Sequence, residues 1–215
     1  MIPEGYGSSR VTLGLLAINV AVFIIGLVVG SRIVISLLGL VPAGVIEYGQ
    51  YLMLFTSMFV HADFFHIFFN MLALLIFGRE VEVTLGIRRF LILYFISGIV
   101  GGLSYVYYSY YLSPLPESRF IPAVGASGAI FGLMASFAVL FPNRPLAVFF
   151  MFIPIFARAY VVILIIMIVQ TILALSMPFS PVAYTAHIGG FLAGFLLTMQ
   201  YRRSIRRTFW VEYSG

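Results

Sequence analysis

His66 and Asn70, Ser127 within Gly125-Ala126-Ser127-Gly128, and His187 are the residues of this 215-residue chain whose types and positions can do chemistry. A serine hydroxyl becomes a useful nucleophile when a neutral imidazole takes its proton. Acyl transfer also needs donors aimed at the oxyanion that develops. His187 can serve as the base. The side chains of His66 and Asn70, with the Ser127 backbone N–H at the head of a helix, can serve as the donors. At about 100° per residue, His66 and Asn70 share one helix face a turn apart, and so do Ser127 and Phe131. That spacing lets Phe131 pack against an imidazole and hold its orientation. His187, Gly190 and Gly194 share a face, and Gly128 and Gly132 lie four apart, a pattern that lets backbones approach closely in lipid. If the two faces meet, Ser127 and His187 come within reach of each other. No acidic residue lies in either helix, so a Ser–His dyad is the simplest arrangement.

The background makes these few polar groups conspicuous. The chain is 62% hydrophobic and 9% charged, against roughly a quarter charged in a soluble domain, which excludes a water-soluble globular protein. Net charge is +5 and all twelve basic residues are arginines. They punctuate long apolar runs instead of covering a solvated face, so no nucleic-acid partner is expected. Cysteine is absent, which removes disulfides, a cysteine nucleophile and thiolate metal sites. Asp63 is the sole aspartate, so an aspartyl dyad is excluded. No His-Glu-x-x-His occurs, and neither a metal nor a cofactor is expected. Asp63 is better read as a helix N-cap than as a triad member or, with His61 and His66, a metal ligand.

A membrane crossing needs about 20 apolar residues, and the chain reads as one all-α membrane domain over residues 1–215. Six crossings are expected at about 11–30, 63–77, 90–112, 125–141, 159–175 and 184–201. The first is longer than a signal-peptide core, with no convincing cleavage site after it, and is expected to be retained. Residues 31–60, broken by Pro42, Gly44, Gly49 and Gln50, read as a large loop of interfacial helices. Leu146–Phe156, between Pro145 and Arg158, reads as an apolar loop or re-entrant piece. Phe209 and Trp210 in the arginine-rich tail read as an interfacial anchor. With both termini cytoplasmic, ten arginines lie inside and only Arg32 and Arg119 outside, a strong orientation signal. The second, fourth and sixth crossings then enter from the outer face, and His66, Asn70, Ser127 and His187 all sit near their outer ends. Ionisable groups at such depth suggest function.

These residues together resemble the rhomboid intramembrane serine proteases in their basic six-span form. The likeness rests on His61-Ala62-Asp63-Phe64-Phe65-His66 with Asn70, on Gly125-Ala126-Ser127-Gly128, and on Ala186-His187-Ile188-Gly189-Gly190 with Gly194. Order, spacing and helix placement agree over about Gln50 to Tyr201. The resemblance implies a six-helix rhomboid-like bundle in the cell membrane, acting on transmembrane protein substrates near or within the lipid. It implies Ser127 as nucleophile, His187 as general base, and an oxyanion hole of His66, Asn70 and the Ser127 backbone. It further implies that Ser176–Ala183 caps the site, that the fifth span is a lateral gate, and that Glu82 and Gly86 are structural. Leu52-Met53 stands where the family often has Trp-Arg, so an anchoring role for that arginine does not carry over.

Rival readings are weighed by the same residues. A catalytically silent relative that only binds membrane proteins is disfavoured, because serine and histidine are both in place. A small transporter would continue its polar lining toward the inner half, yet the lower parts of the second and fourth spans are almost wholly apolar. Asn70 as interhelical glue and the arginine tail as a lipid contact are compatible with either function.

Overall fold

The computed structural model describes residues 9–150, 153–177 and 183–213. Its long elements are helices. α1 (Arg10–Val29) is followed by three short helices, α2 (Ser31–Leu38), α3 (Pro42–Tyr48) and α4 (Met53–Thr56). A continuous helix over Phe64–Leu85 comprises α5 (Phe64–Ala73), a π-helical stretch at Leu74–Gly78, and α6 (Arg79–Leu85). α7 (Ile87–Tyr107), α8 (Ser127–Leu140), α9 (Ala159–Ser176) and α10 (Tyr184–Tyr213) complete the helices. Four of these helical segments are long and apolar enough to cross a membrane: Arg10–Val29, Phe64–Leu85, Ile87–Leu112 and Ala159–Ser176. Large side chains such as Leu27, Val28, Leu164, Ile165 and Ile168 are exposed on them. In water such surfaces would be an aggregation hazard, whereas in lipid they face a matching solvent, as befits a multi-pass membrane protein.

α8 is the centre of the bundle. Eleven of its fourteen residues are buried, as expected for a helix that is apolar all round. It is packed mainly by α7 and α10, and the contacts are made by glycines. A Cβ at Gly190 would run into the carbonyl of Gly128, one at Gly194 into that of Gly132, and one at Gly101 would stand 2.6 Å from Ala186 O. Close backbone approach of this kind replaces the hydrophobic drive that helices lose in lipid.

The charged cluster after the second span holds α1 in place. Glu82 is buried and accepts from Val11 N at 3.0 Å, Thr12 N at 2.7 Å and Thr12 Oγ1 at 2.6 Å. It therefore caps the first turn of a helix seventy residues away and faces its positive dipole end. Arg79 adds a bond to Ser9 Oγ at 3.1 Å. These uses explain why the helix runs past Phe77 to Leu85, beyond the expected end at the first charge. Gly86 then takes φ +77° between α6 and α7, a conformation disfavoured for other residues. Glu82→Ala strips an acceptor from three donors and is expected to cost about 2–3 kcal/mol. Thermal unfolding in detergent measures it, and an unchanged midpoint would show that apolar packing alone holds α1.

The segment after α8 departs from expectation. Instead of a loop or re-entrant piece, Pro145–Phe150 (β1) and Ile153–Arg158 (β2) form an antiparallel hairpin, Pro145 opposite Arg158 and Phe150 opposite Ile153. A short apolar run rich in Val, Ile and Phe is ambiguous by periodicity, and here the pairing of the two runs satisfies the backbone. The base of the hairpin is closed by Ala159 N donating to Arg144 O at 2.8 Å, and the Arg144 side chain pairs with Glu80. Of the expected cap segment, residues 178–182 lie outside the described residues, as do the side chains of Phe209 and Trp210.

Candidate active site

Ser127 is set at the N-terminus of α8 by a short extended approach held at two points. Leu40 and Ala123 exchange backbone hydrogen bonds of 2.9 Å, and Gly125 N donates to Ser57 O at 2.9 Å. Gly125 has φ +117°, and a Cβ there would lie 2.6 Å from His66 Nε2. Only glycine satisfies both the dihedral and the proximity of the imidazole.

His187 reaches Ser127 from the first turn of α10. Its Nε2 stands 2.9 Å from Ser127 Oγ, within the reach required of a nucleophile and its base. The imidazole is buried and stacks on Phe131 with centroids 4.3 Å apart and planes 7° apart. The glycine faces of α8 and α10 do meet, as the pattern suggested, and Phe131 lies against the ring. The Tyr184 ring stands edge-on at 6.3 Å.

α5 supplies the other wall. Asp63 caps it, its Oδ1 accepting from His66 N at 2.9 Å, so the N-cap reading describes its geometry. His66 Nδ1 faces the N–H of Ala62 at 3.5 Å, which leaves Nε2, beside Gly125, as the nitrogen to carry a proton. Asn70 is buried; its Nδ2 donates to His66 O at 2.8 Å, one turn back on its own helix, and Oδ1 has no protein partner. Among the described residues it makes no hydrogen bond to another helix. His66, Asn70, Ser127, Phe131 and His187 line one cavity of about 710 Å³, with Phe65, Phe69, Ile130 and Met134 among its apolar walls.

His61 lies just before α5, buried, with its ring edge-on to His66 at 5.0 Å. Burial, and secondarily the neighbouring His66, push its pKa down to about 4. Burial thus favours its neutral form beside His66. No group of His, Asp and Glu among the described residues is arranged to hold a metal ion.

The structure adds one residue that the sequence reading left out. Gln170 of α9 places Oε1 2.9 Å from His187 Nδ1. A strongly polar side chain in an apolar span was the available signal, but nothing local says which helix it meets.

Comparison with known proteins places these elements. A family model described as the Rhomboid domain matches residues 48–204. The chain is 33% identical over 141 residues to "Rhomboid protein 1, mitochondrial" of Saccharomyces cerevisiae, covering 65% of this chain and 39% of that protein. It is 32% identical over 169 residues to "RHOMBOID-like protein 5" of Arabidopsis thaliana, covering 74% and 47%. It is 34% identical over 151 residues to "Rhomboid protease GluP" of Bacillus subtilis, covering 70% and 26%. In each case less than half of the relative's own length is spanned.

Proposed function

Because the chain belongs to the rhomboid family, we propose that it is an intramembrane serine protease that hydrolyses peptide bonds of transmembrane protein substrates with Ser127 and His187. The 2.9 Å contact between Ser127 Oγ and His187 Nε2 carries this reading. In it, Nε2 takes the hydroxyl proton as Oγ bonds to the scissile carbonyl carbon, and negative charge moves to the carbonyl oxygen. The Ser127 backbone N–H, the His66 ring and the side-chain amide of Asn70 stabilise that oxyanion. His187 then delivers the proton to the leaving amine, and water releases the acyl group from Ser127 by the reverse sequence.

In this reading the apolar runs make six crossings of the cell membrane, and the arginine distribution favours both termini on the cytoplasmic side. α8, with its 14 residues, is about 21 Å long, shorter than a hydrocarbon core of about 30 Å. With one end near the inner boundary, Ser127 sits below the outer one and the cavity opens outward. The helices α2–α4 then lie at the interface beside that mouth.

A fluorophosphonate probe is expected to phosphonylate Ser127 Oγ in detergent or liposomes, located by mass spectrometry of the peptide, with labelling lost in His187→Ala. A probe that labels other serines and spares Ser127 in the folded protein would overturn the assignment. Label on Ser127 with no cleavage of any transmembrane substrate would instead favour a binding relative.

A further inference from the structure

The imidazole of His187 is held at both nitrogens, by Ser127 Oγ at Nε2 and by Gln170 Oε1 at Nδ1, each at 2.9 Å. A neutral imidazole carries one proton, and its partners decide which nitrogen bears it. An amide oxygen only accepts, so Nδ1 must donate to it. That leaves the Nε2 lone pair facing the serine hydroxyl, the tautomer a general base needs.

We propose that Gln170 is a positioning residue, an uncharged third member that selects the Nδ1–H tautomer of His187 and fixes its ring. The proposal rests on the reading of Ser127 and His187 as the catalytic pair. Phe131 alone cannot do this work, because it restrains only the ring face. Turning the imidazole over about χ2 would keep the stack yet carry Nε2 away from Ser127. The Gln170 bond joins the Ser127 bond in telling the two orientations apart. An amide also suits the surroundings, since a carboxylate at membrane depth carries a large desolvation cost, while a neutral acceptor orients the ring without a charge.

Placement on α9 gives the bond a second feature. The buried side chains of this helix are Ala159, Val162, Ile163 and Met167, all N-terminal to Gln170. Among the described residues, the remainder of α9 makes one side-chain hydrogen bond to another helix, the one to His187. Besides apolar packing, this hydrogen bond joins the position of this helix half to the state of the base.

The test uses the full chain with 15N-labelled histidine, His187 being identified by the signal lost in His187→Ala. The wild-type ring is expected to show Nδ1–H. Gln170→Leu, which removes the acceptor at similar size, is expected to shift it toward the Nε2–H form that free histidine prefers. In the same variant kcat for a transmembrane reporter should fall about tenfold with KM within about twofold, the size of one lost hydrogen bond. Gln170→Glu restores an acceptor oxygen and should recover both Nδ1–H and most of kcat. A wild-type ring protonated at Nε2, a Gln170→Leu ring that does not change, or an unaltered kcat overturns the proposal. A wild-type protein with no Ser127-dependent hydrolysis would defeat the protease reading instead, and the ring spectra would still decide what Gln170 does to His187.

Discussion

Ser127→Ala is expected to reduce cleavage of a transmembrane reporter in liposomes by about 10³-fold or more, with the fold intact. Ser127 lines the cavity and, among the described residues, its side chain bonds only to His187, so removal of the hydroxyl leaves α8 and its glycine contacts in place. His187→Ala should be comparably severe, because the hydroxyl without its base is a weak nucleophile. The double variant should then be no worse than either single one, since the two residues act as a unit. Initial rates of reporter cleavage, with unfolding midpoints measured on the same samples, make the comparison. Wild-type rates in Ser127→Ala would remove this serine from the reaction. Full activity in His187→Ala would leave the 2.9 Å contact without a catalytic role.

Gly190→Val is the second large effect, and it acts through packing. A Cβ at Gly190 overlaps the Gly128 carbonyl, backbone that cannot swing aside as a side-chain end can. Either α10 moves away from α8 or the helices distort, at a cost of about 3 kcal/mol or more. His187 is one turn from Gly190, so a displacement near 1 Å also breaks its contact with Ser127. The expected result is a marked fall in the unfolding midpoint in detergent together with loss of fluorophosphonate labelling at Ser127. Gly14→Ala provides the contrast, because an added Cβ there meets nothing within 4 Å and alanine is the better helix residue. A Gly190→Val protein with wild-type stability and labelling would mean that the close crossing of α8 and α10 does not exist in the membrane.

Much of the site is legible in the sequence for a physical reason. In a chain with 9% charged residues, any histidine or asparagine in an apolar run carries a desolvation cost, so scarcity itself marks the candidates. Helical period then places His66 with Asn70 and Ser127 with Phe131. The glycines at 128, 132, 190 and 194 indicate which faces can approach, and the observed stack of Phe131 on His187 agrees with that reading. The N-cap role of Asp63 is equally local, requiring only that an aspartate precede an apolar helix.

Other features have no local signal. Gln170 is one polar residue in an apolar helix, and its period alone fits several neighbours. Glu82 reads as structural only through the resemblance, and its partners, the backbone groups of Val11 and Thr12 and the Thr12 hydroxyl, lie on another helix. Pro145–Arg158 carries an apolar run that fits a loop, a re-entrant piece or a strand, and only cross-strand pairing makes it a hairpin.

By itself, then, the sequence determined the membrane class, the helical elements, the family and the small set of polar residues able to do chemistry, because hydropathy, period and capping are properties of neighbouring residues. The tertiary structure alone decided that Nε2 of His187 faces Ser127 while Nδ1 faces Gln170, that His66 lies against Gly125, and that Glu82 closes the end of α1. Those contacts join residues 17 to 71 positions apart. Their geometry depends on how closely whole helices pack, which no local stretch of sequence encodes.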